Sequence, residues 1–255
     1  MPAPSHLWKG VSTALLALFG SLAIHSDALP RIPAPLAPLP RVTLWAWERR
    51  EDLRALDTRR FAVAYLDRTL TVGLTVHADP RHNALVLPAG ITRIAVVRIE
   101  APSGAVLNSI NHDDALQALL TSARQPGIAA LQVDFDATRS QRAFYRALLT
   151  DLRRQMPPGL PLSITALASW CSYDDWLTGL PIDEAVPMFF RMEPDRRRAP
   201  PSLADFHIRE PLCQTSAGLS TTESWPPSLA GKRLYVFADR GWRIDTPTDL
   251  SRRLP

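Results

Sequence analysis

Short bursts of alternating apolar and polar residues recur along this chain, separated by stretches in which apolar residues return every three or four positions. The clearest burst is Leu131-Gln132-Val133-Asp134-Phe135-Asp136. Its period of two predicts a β-strand with both carboxylates on one face and three apolar groups on the other. A capping signal, Thr138-x-x-Gln141, follows, and then a helix predicted from about Ser140 to Met156. Its buried stripe would be Phe144, Tyr145, Leu148, Leu149, Leu152 and Met156. A strand that ends in acids and feeds directly into a helix is how parallel barrels bring acids to their active face.

Eight segments have strand character: Thr43–Trp47, Phe61–Leu66, Arg93–Ile99, Ala129–Phe135, Leu162–Leu167, Glu184–Phe190, Ala217–Thr222 and Arg233–Ala238. Helical patterns fall between several of them, at Glu51–Asp57, Asp113–Arg124, Ser140–Met156, Tyr173–Leu180, Ser202–Ile208 and Thr248–Leu254. Strands alternating with helices predict a parallel sheet, and eight of them predict a small (β/α)8 TIM-like barrel of the α/β class. A doubly wound open sheet is the alternative, but no glycine-rich phosphate turn follows the first strand. Between Thr69 and Pro88 the pattern suits a β-hairpin in place of the second helix. Its turn is expected at Ala78–Asn83, with Leu85-Val86-Leu87 as the returning arm.

The chain starts differently. His6 and Lys9 precede an apolar run from Val11 to Ile24, and Ser26-Asp27-Ala28 offers small residues for cleavage. Residues 1–28 therefore read as an export signal, with an uncleaved inner-membrane anchor as the alternative. The expected location is periplasmic or secreted. Residues 29–41, with five prolines from Pro30 to Pro40, are expected to form an extended spacer. Residues 42–255 form the barrel domain. Export would permit a disulfide between Cys171 and Cys213, although the predicted topology sets them at opposite ends of neighbouring strands.

Charge changes the picture little. The net charge is +4, but Lys9 and Lys232 are the only lysines and the arginines are interspersed with acids. The run Arg196-Arg197-Arg198 sits among prolines, so nucleic acid is not an expected partner. No histidine, cysteine and acid spacing makes a metal site, no cofactor is expected, and no nucleophile elbow occurs. His112 simply precedes the helix expected from Asp113.

Chemistry is expected where the strands end. Those positions hold Trp45, Trp47, Glu48, Tyr65, Asp67, Arg98, Glu100, Asp134 and Asp136 in the first half of the chain. The second half adds Thr165, Ser169, Trp170, Met188, Phe190, Arg191, Thr222, Glu223, Asp239 and Trp242. Paired carboxylates divide acid and base roles in glycosidases, and indole faces stack on sugar rings. Asp134, Asp136 and Glu223 are the catalytic candidates, with Asp136 as acid and Glu223 as nucleophile or base. Trp45, Trp47, Arg98, Glu100, Trp170, Arg191, Asp239 and Trp242 are candidates for binding a carbohydrate or another small polar ligand. An Arg98–Asp134 ion pair is the competing structural role for Asp134. Trp45 and Trp47 would alternatively plug the mouth, and Glu223 would be a solvated loop acid.

The stretches Trp45-Ala-Trp47-Glu48, Val97-Arg98-Ile99-Glu100, Leu131 to Asp136 with Ser140-Gln141-Arg142, Ser163 to Cys171 and Asp183 to Arg191 resemble a family of bacterial exported proteins known only as a domain of unknown function. More distantly, Asp134-Phe135-Asp136-Ala137-Thr138 is similar to the D-x-D-x-E motif of chitinase-like (family 18) glycoside hydrolases. That resemblance implies a barrel acting on glycans. The glutamate that serves as acid there is replaced by Thr138, which leaves either another carboxylate as donor, a barrel that only binds glycan, or an envelope scaffold.

Overall fold

Alternation of the kind seen at 131–136 sends every second side chain to the inside of a closed sheet, and the chain does this eight times. The computed structural model describes residue 1 and residues 31–255, apart from 103, 106, 191–206, 243–249, 251–253 and 255. The strands are β1 (Val42–Ala46), β2 (Glu51–Asp52), β3 (Phe61–Val72), β4 (Val76–Pro80), β5 (Leu85–Val86) and β6 (Thr92–Glu100). They continue with β7 (Ala130–Asp134), β8 (Leu162–Leu167), β9 (Glu184–Met188), β10 (Ser216–Ser220) and β11 (Arg233–Phe237). Helix α1 (Ser109–Ala123) precedes β7, α2 (Arg142–Gln155) precedes β8 and α3 (Ala168–Tyr173) follows it. Eight strands pair in parallel in the order β1-β3-β6-β7-β8-β9-β10-β11, and β1 pairs with both β3 and β11 to close the barrel.

The two faces of β7 separate as the sequence predicts. Leu131, Val133 and Phe135 pack outward among the buried faces of α1 and α2. Ala130 joins the inner cluster with Ile94, Val96 and Tyr235, and Gln132 and Asp134 share its face. Each helix is fixed at its start. Asn108 and Asn111 exchange side-chain-to-backbone hydrogen bonds at 3.0 and 3.1 Å before α1, which therefore begins ahead of Asp113. Gln141 Oε1 accepts from Thr138 N at 2.9 Å in the 3-10 turn that leads into α2.

Several local expectations are corrected. The hairpin exists, but β3 runs on to Val72 and pairs antiparallel with β4, so its tip is Gly73-Leu74-Thr75. Leu85–Val86 does not return to that hairpin; it pairs with Glu51–Asp52 in a separate two-stranded sheet. Residues 51–57 are consequently not helical: Glu51 is buried and accepts from Trp242 N at 3.1 Å. The helix expected at 173–180 lies earlier, at Ala168–Tyr173. Asp174 Oδ1 then accepts from the backbone of Asp175 and Trp176, turning the chain. The helices expected at 202–208 and 248–254 fall mostly outside the described residues.

The proline-rich stretch is not a free spacer over its whole length. Ala34–Leu36 form one 3-10 turn, and Leu36 is completely buried. An apolar side chain this close to an open barrel end gains more from burial than an extended linker would keep.

Cys171 and Cys213 are joined in a disulfide, with Cα atoms 5.9 Å apart. Neither cysteine sits on a strand, so the opposite strand ends expected from the sequence do not keep them apart. Cys171 is on α3, and the segment before β10 is drawn across it, with Arg209 N and Glu210 N both donating to Cys171 O.

Candidate active site

Register places the acids. Arg98 on β6 stands beside Asp134 on β7, and Gln132 stands beside Ser163 on β8. Arg98 Nη1 donates to Asp134 Oδ2 at 2.8 Å, so the ion pair considered from the sequence is present. Thr165 Oγ1, on β8, donates to Asp134 Oδ1 at 2.6 Å. Asp134 is thus buried with both oxygens engaged. Arg98 is also bound through Nε to Glu100 Oε1 at 2.7 Å, and its guanidinium lies 5.9 Å from the centre of the Trp47 ring.

Asp136, two residues on, lies past the end of β7 and is exposed. The surrounding protein pushes its pKa up by desolvation. The nearby Asp134 charge adds to the rise, and Arg98 partly offsets it. Asp136 is therefore biased towards its protonated form beside Asp134, whose two oxygens are taken up by Arg98 and Thr165, and acid–base chemistry can use such a neighbour pair.

Other candidates divide between the mouth and the wall. Trp47 is half-buried, with Phe237 edge-on at 6.3 Å. Trp45 is only 3% exposed, and its Nε1 donates to Gln132 Oε1 at 2.7 Å inside the barrel. A Cβ on Gly218 would come within 2.9 Å of its ring, so glycine makes room for the indole. Trp242 is buried too, donating Nε1 to Trp45 O at 2.6 Å. Trp170 is buried on α3 against Trp176, with the Arg142 guanidinium 5.9 Å from its ring. These three indoles are packed into the protein, leaving Trp47 as the partly open one of the four.

Glu223 is exposed on the segment after β10, three strands round the barrel from β7. Asp239, after β11, accepts from Ser220 Oγ and from Thr222 Oγ1, the latter at 2.6 Å. Arg191 lies outside the described residues.

Three expected mouth residues, Asp67, Tyr65 and Glu48, are engaged elsewhere. A register shift between Leu66 and Arg68 turns Asp67 towards α1, where it accepts from Ser122 Oγ at 2.6 Å and Gln125 Nε2 at 2.7 Å. Tyr65 donates to Gln125 Oε1 at 2.9 Å on the same side. Glu48 accepts from Asn83 N and Nδ2, both at 2.7 Å, and so anchors the loop after β4. His112 lies within α1 and bridges to α2, 3.2 Å from Asp151 Oδ2.

Gln132 was not among the sequence candidates, although it shares a strand face with both aspartates. Among the described residues no group of three or more histidines, cysteines and acids is placed to hold a metal ion.

The protein is therefore a small parallel β/α barrel with a carboxylate pair at the carboxyl-terminal mouth. Residues 89–186 match the model of a family described as a domain of unknown function, DUF3142. That stretch includes β6, β7 and β8, and with them Arg98, Glu100, Asp134 and Asp136. No curated protein matches the chain. A solved structure, the spore cortex-lytic enzyme SleL of Bacillus cereus, aligns with a TM-score of 0.40 at 15% identity, covering 58% of this chain and 42% of that one. The chain thus spans less than half the length of that protein.

Proposed function

We propose that this barrel is a carbohydrate-active enzyme that hydrolyses glycosidic bonds at its carboxyl-terminal mouth. The observation that carries the reading is the Asp134–Asp136 pair. Asp134 is bound by Arg98 and Thr165, and its exposed neighbour Asp136 is biased towards the protonated form. In this reading Asp136 gives its proton to the departing glycosidic oxygen. Glu223 is the nucleophile, or the base that takes a proton from the attacking water, and Trp47 offers an apolar edge to a sugar ring. The Cys171–Cys213 disulfide supports export to an oxidising compartment, periplasmic or extracellular.

The test is release of reducing ends from a panel of bacterial and plant polysaccharides by the wild type and Asp136→Asn. Turnover in the wild type that falls by at least about a hundredfold in the variant, the lower end of general-acid effects, is the expected result. Wild-type turnover that survives the substitution would remove Asp136 from the mechanism.

A second reading is a glycan-binding barrel without turnover. It is favoured by Thr138, which stands where chitinase-like enzymes carry their acid and here starts the turn that leads into α2. It requires saturable glycan binding, read by calorimetry, that Trp47→Ala weakens and Asp136→Asn leaves intact.

A further inference from the structure

Residues 33–40 lie immediately before β1, at the end of the barrel opposite the carboxylate mouth. Their contacts are specific. Arg233, the first residue of β11 and only 1% exposed, points Nη1 at three carbonyl oxygens of this segment. They belong to Leu36 at 3.3 Å, Leu39 at 3.4 Å and Pro40 at 3.2 Å. Leu36 is fully buried, and Leu39 packs on the inner cluster of the barrel. Leu234 N donates to Arg41 O at 2.7 Å, which continues the attachment into β1.

We propose that residues 33–40 are a strap that seals the amino-terminal end of the barrel, so that the folded unit begins at residue 33. Prolines suit the role. Their restricted backbone loses less entropy on docking than a flexible tail would, and residues that lack N–H groups leave fewer donors to satisfy at a buried end. The carbonyls are then the polar groups that need partners, and Arg233 supplies them. Cleavage after Ala28 leaves the strap whole, whereas trimming past Pro33 removes it.

Arg31 and Arg41 flank the strap, and limited trypsin digestion of the full chain reads its docking directly. Cleavage after Arg31 should be rapid, and cleavage after Arg41 at least tenfold slower, with products identified by mass. Leu36→Asp should remove that protection, and Leu36→Ala, a milder change, should reduce it. Equal cleavage at Arg31 and Arg41 in the wild type overturns the proposal, even if neither variant can be purified. So does unchanged protection at Arg41 in a folded Leu36→Asp protein.

Discussion

Asp136 sits in a field set by its neighbours, and the sign of each contribution can be tested one residue at a time. Desolvation by the surrounding protein and the Asp134 charge raise its pKa, while Arg98 lowers it. A general acid works only while protonated, so activity should fall as pH rises through the Asp136 pKa. Asp134→Asn removes a raising charge and leaves Arg98 in place. The falling alkaline limb of kcat/KM should therefore move to lower pH, whatever happens to the rate at the optimum. A limb that stays put, or moves up, would mean that Asp134 does not control the proton on Asp136. The sequence made this pair legible because residue parity on a strand tells which face a side chain takes, and neighbouring strands in a barrel supply partners such as Arg98. Parity does not tell depth. Trp45 has the parity of a mouth residue but lies far enough in to bond Gln132, so an indole read as a sugar platform is instead barrel filling.

At the scale of elements, the disulfide ties α3 to the segment entering β10, two pieces of chain that no strand pairing holds together. Thr178 Oγ1 donates to Glu210 Oε2 at 2.8 Å beside it, so the bridge closes an already bonded corner. The linked residues are 42 apart, and loop entropy for that separation corresponds to about 4 kcal/mol in the unfolded chain. For a domain of this size that equals a loss of roughly 8–16 °C in Tm on reduction. Thermal unfolding with and without reductant, with free thiols titrated, measures it. Full reduction with no change in Tm would show that the unfolded chain gains nothing from being untied. Strands were the most legible elements, because eight segments of strand character with helical patterns between several of them leave few other closed arrangements. Connections were less so. Glu51–Asp57 has a helical pattern, yet Glu51 is captured by Trp242 N from a segment almost two hundred residues away, and local propensity yields to such a contact. The hairpin is visible as alternation but its turn falls earlier than the pattern predicts, because β3 and β4 stay paired up to Val72 and Val76 and Asn111 Nδ2 donates to the Gly73 carbonyl at 3.1 Å.

Across the whole molecule, the barrel interior is filled by more than hydrocarbon. Below the Trp45–Gln132–Ser163 chain lies a buried pair, Glu184 and Arg233, with Arg233 Nε 3.5 Å from Glu184 Oε2 and Tyr235 donating to the other oxygen. Removing one member of such a pair strands a charge in the core and costs about 3–5 kcal/mol, whereas removing both can cost far less. Arg233 also holds the strap, so the double variant Glu184→Met/Arg233→Met should still lose those carbonyl bonds. It should nonetheless lose clearly less than the sum of the single changes in urea unfolding. The single variants should differ in their pH response. Burial raises the Glu184 pKa and Arg233 is the largest influence pulling it back, so Arg233→Met raises it further, with only the hydrogen bonds from Tyr235, Ser163 and Ser216 still opposing the rise. A carboxyl raised in the folded state contributes stability that is fully present below its unfolded pKa, about 4.3, and is lost as pH rises through the folded value. Arg233→Met should therefore be more damaging at pH 8 than at pH 5, and Glu184→Met should lack that Glu184-linked loss between the two. Equal damage from Arg233→Met at both pH values, together with strictly additive losses, would leave Arg233 as a strap anchor that is not energetically coupled to Glu184.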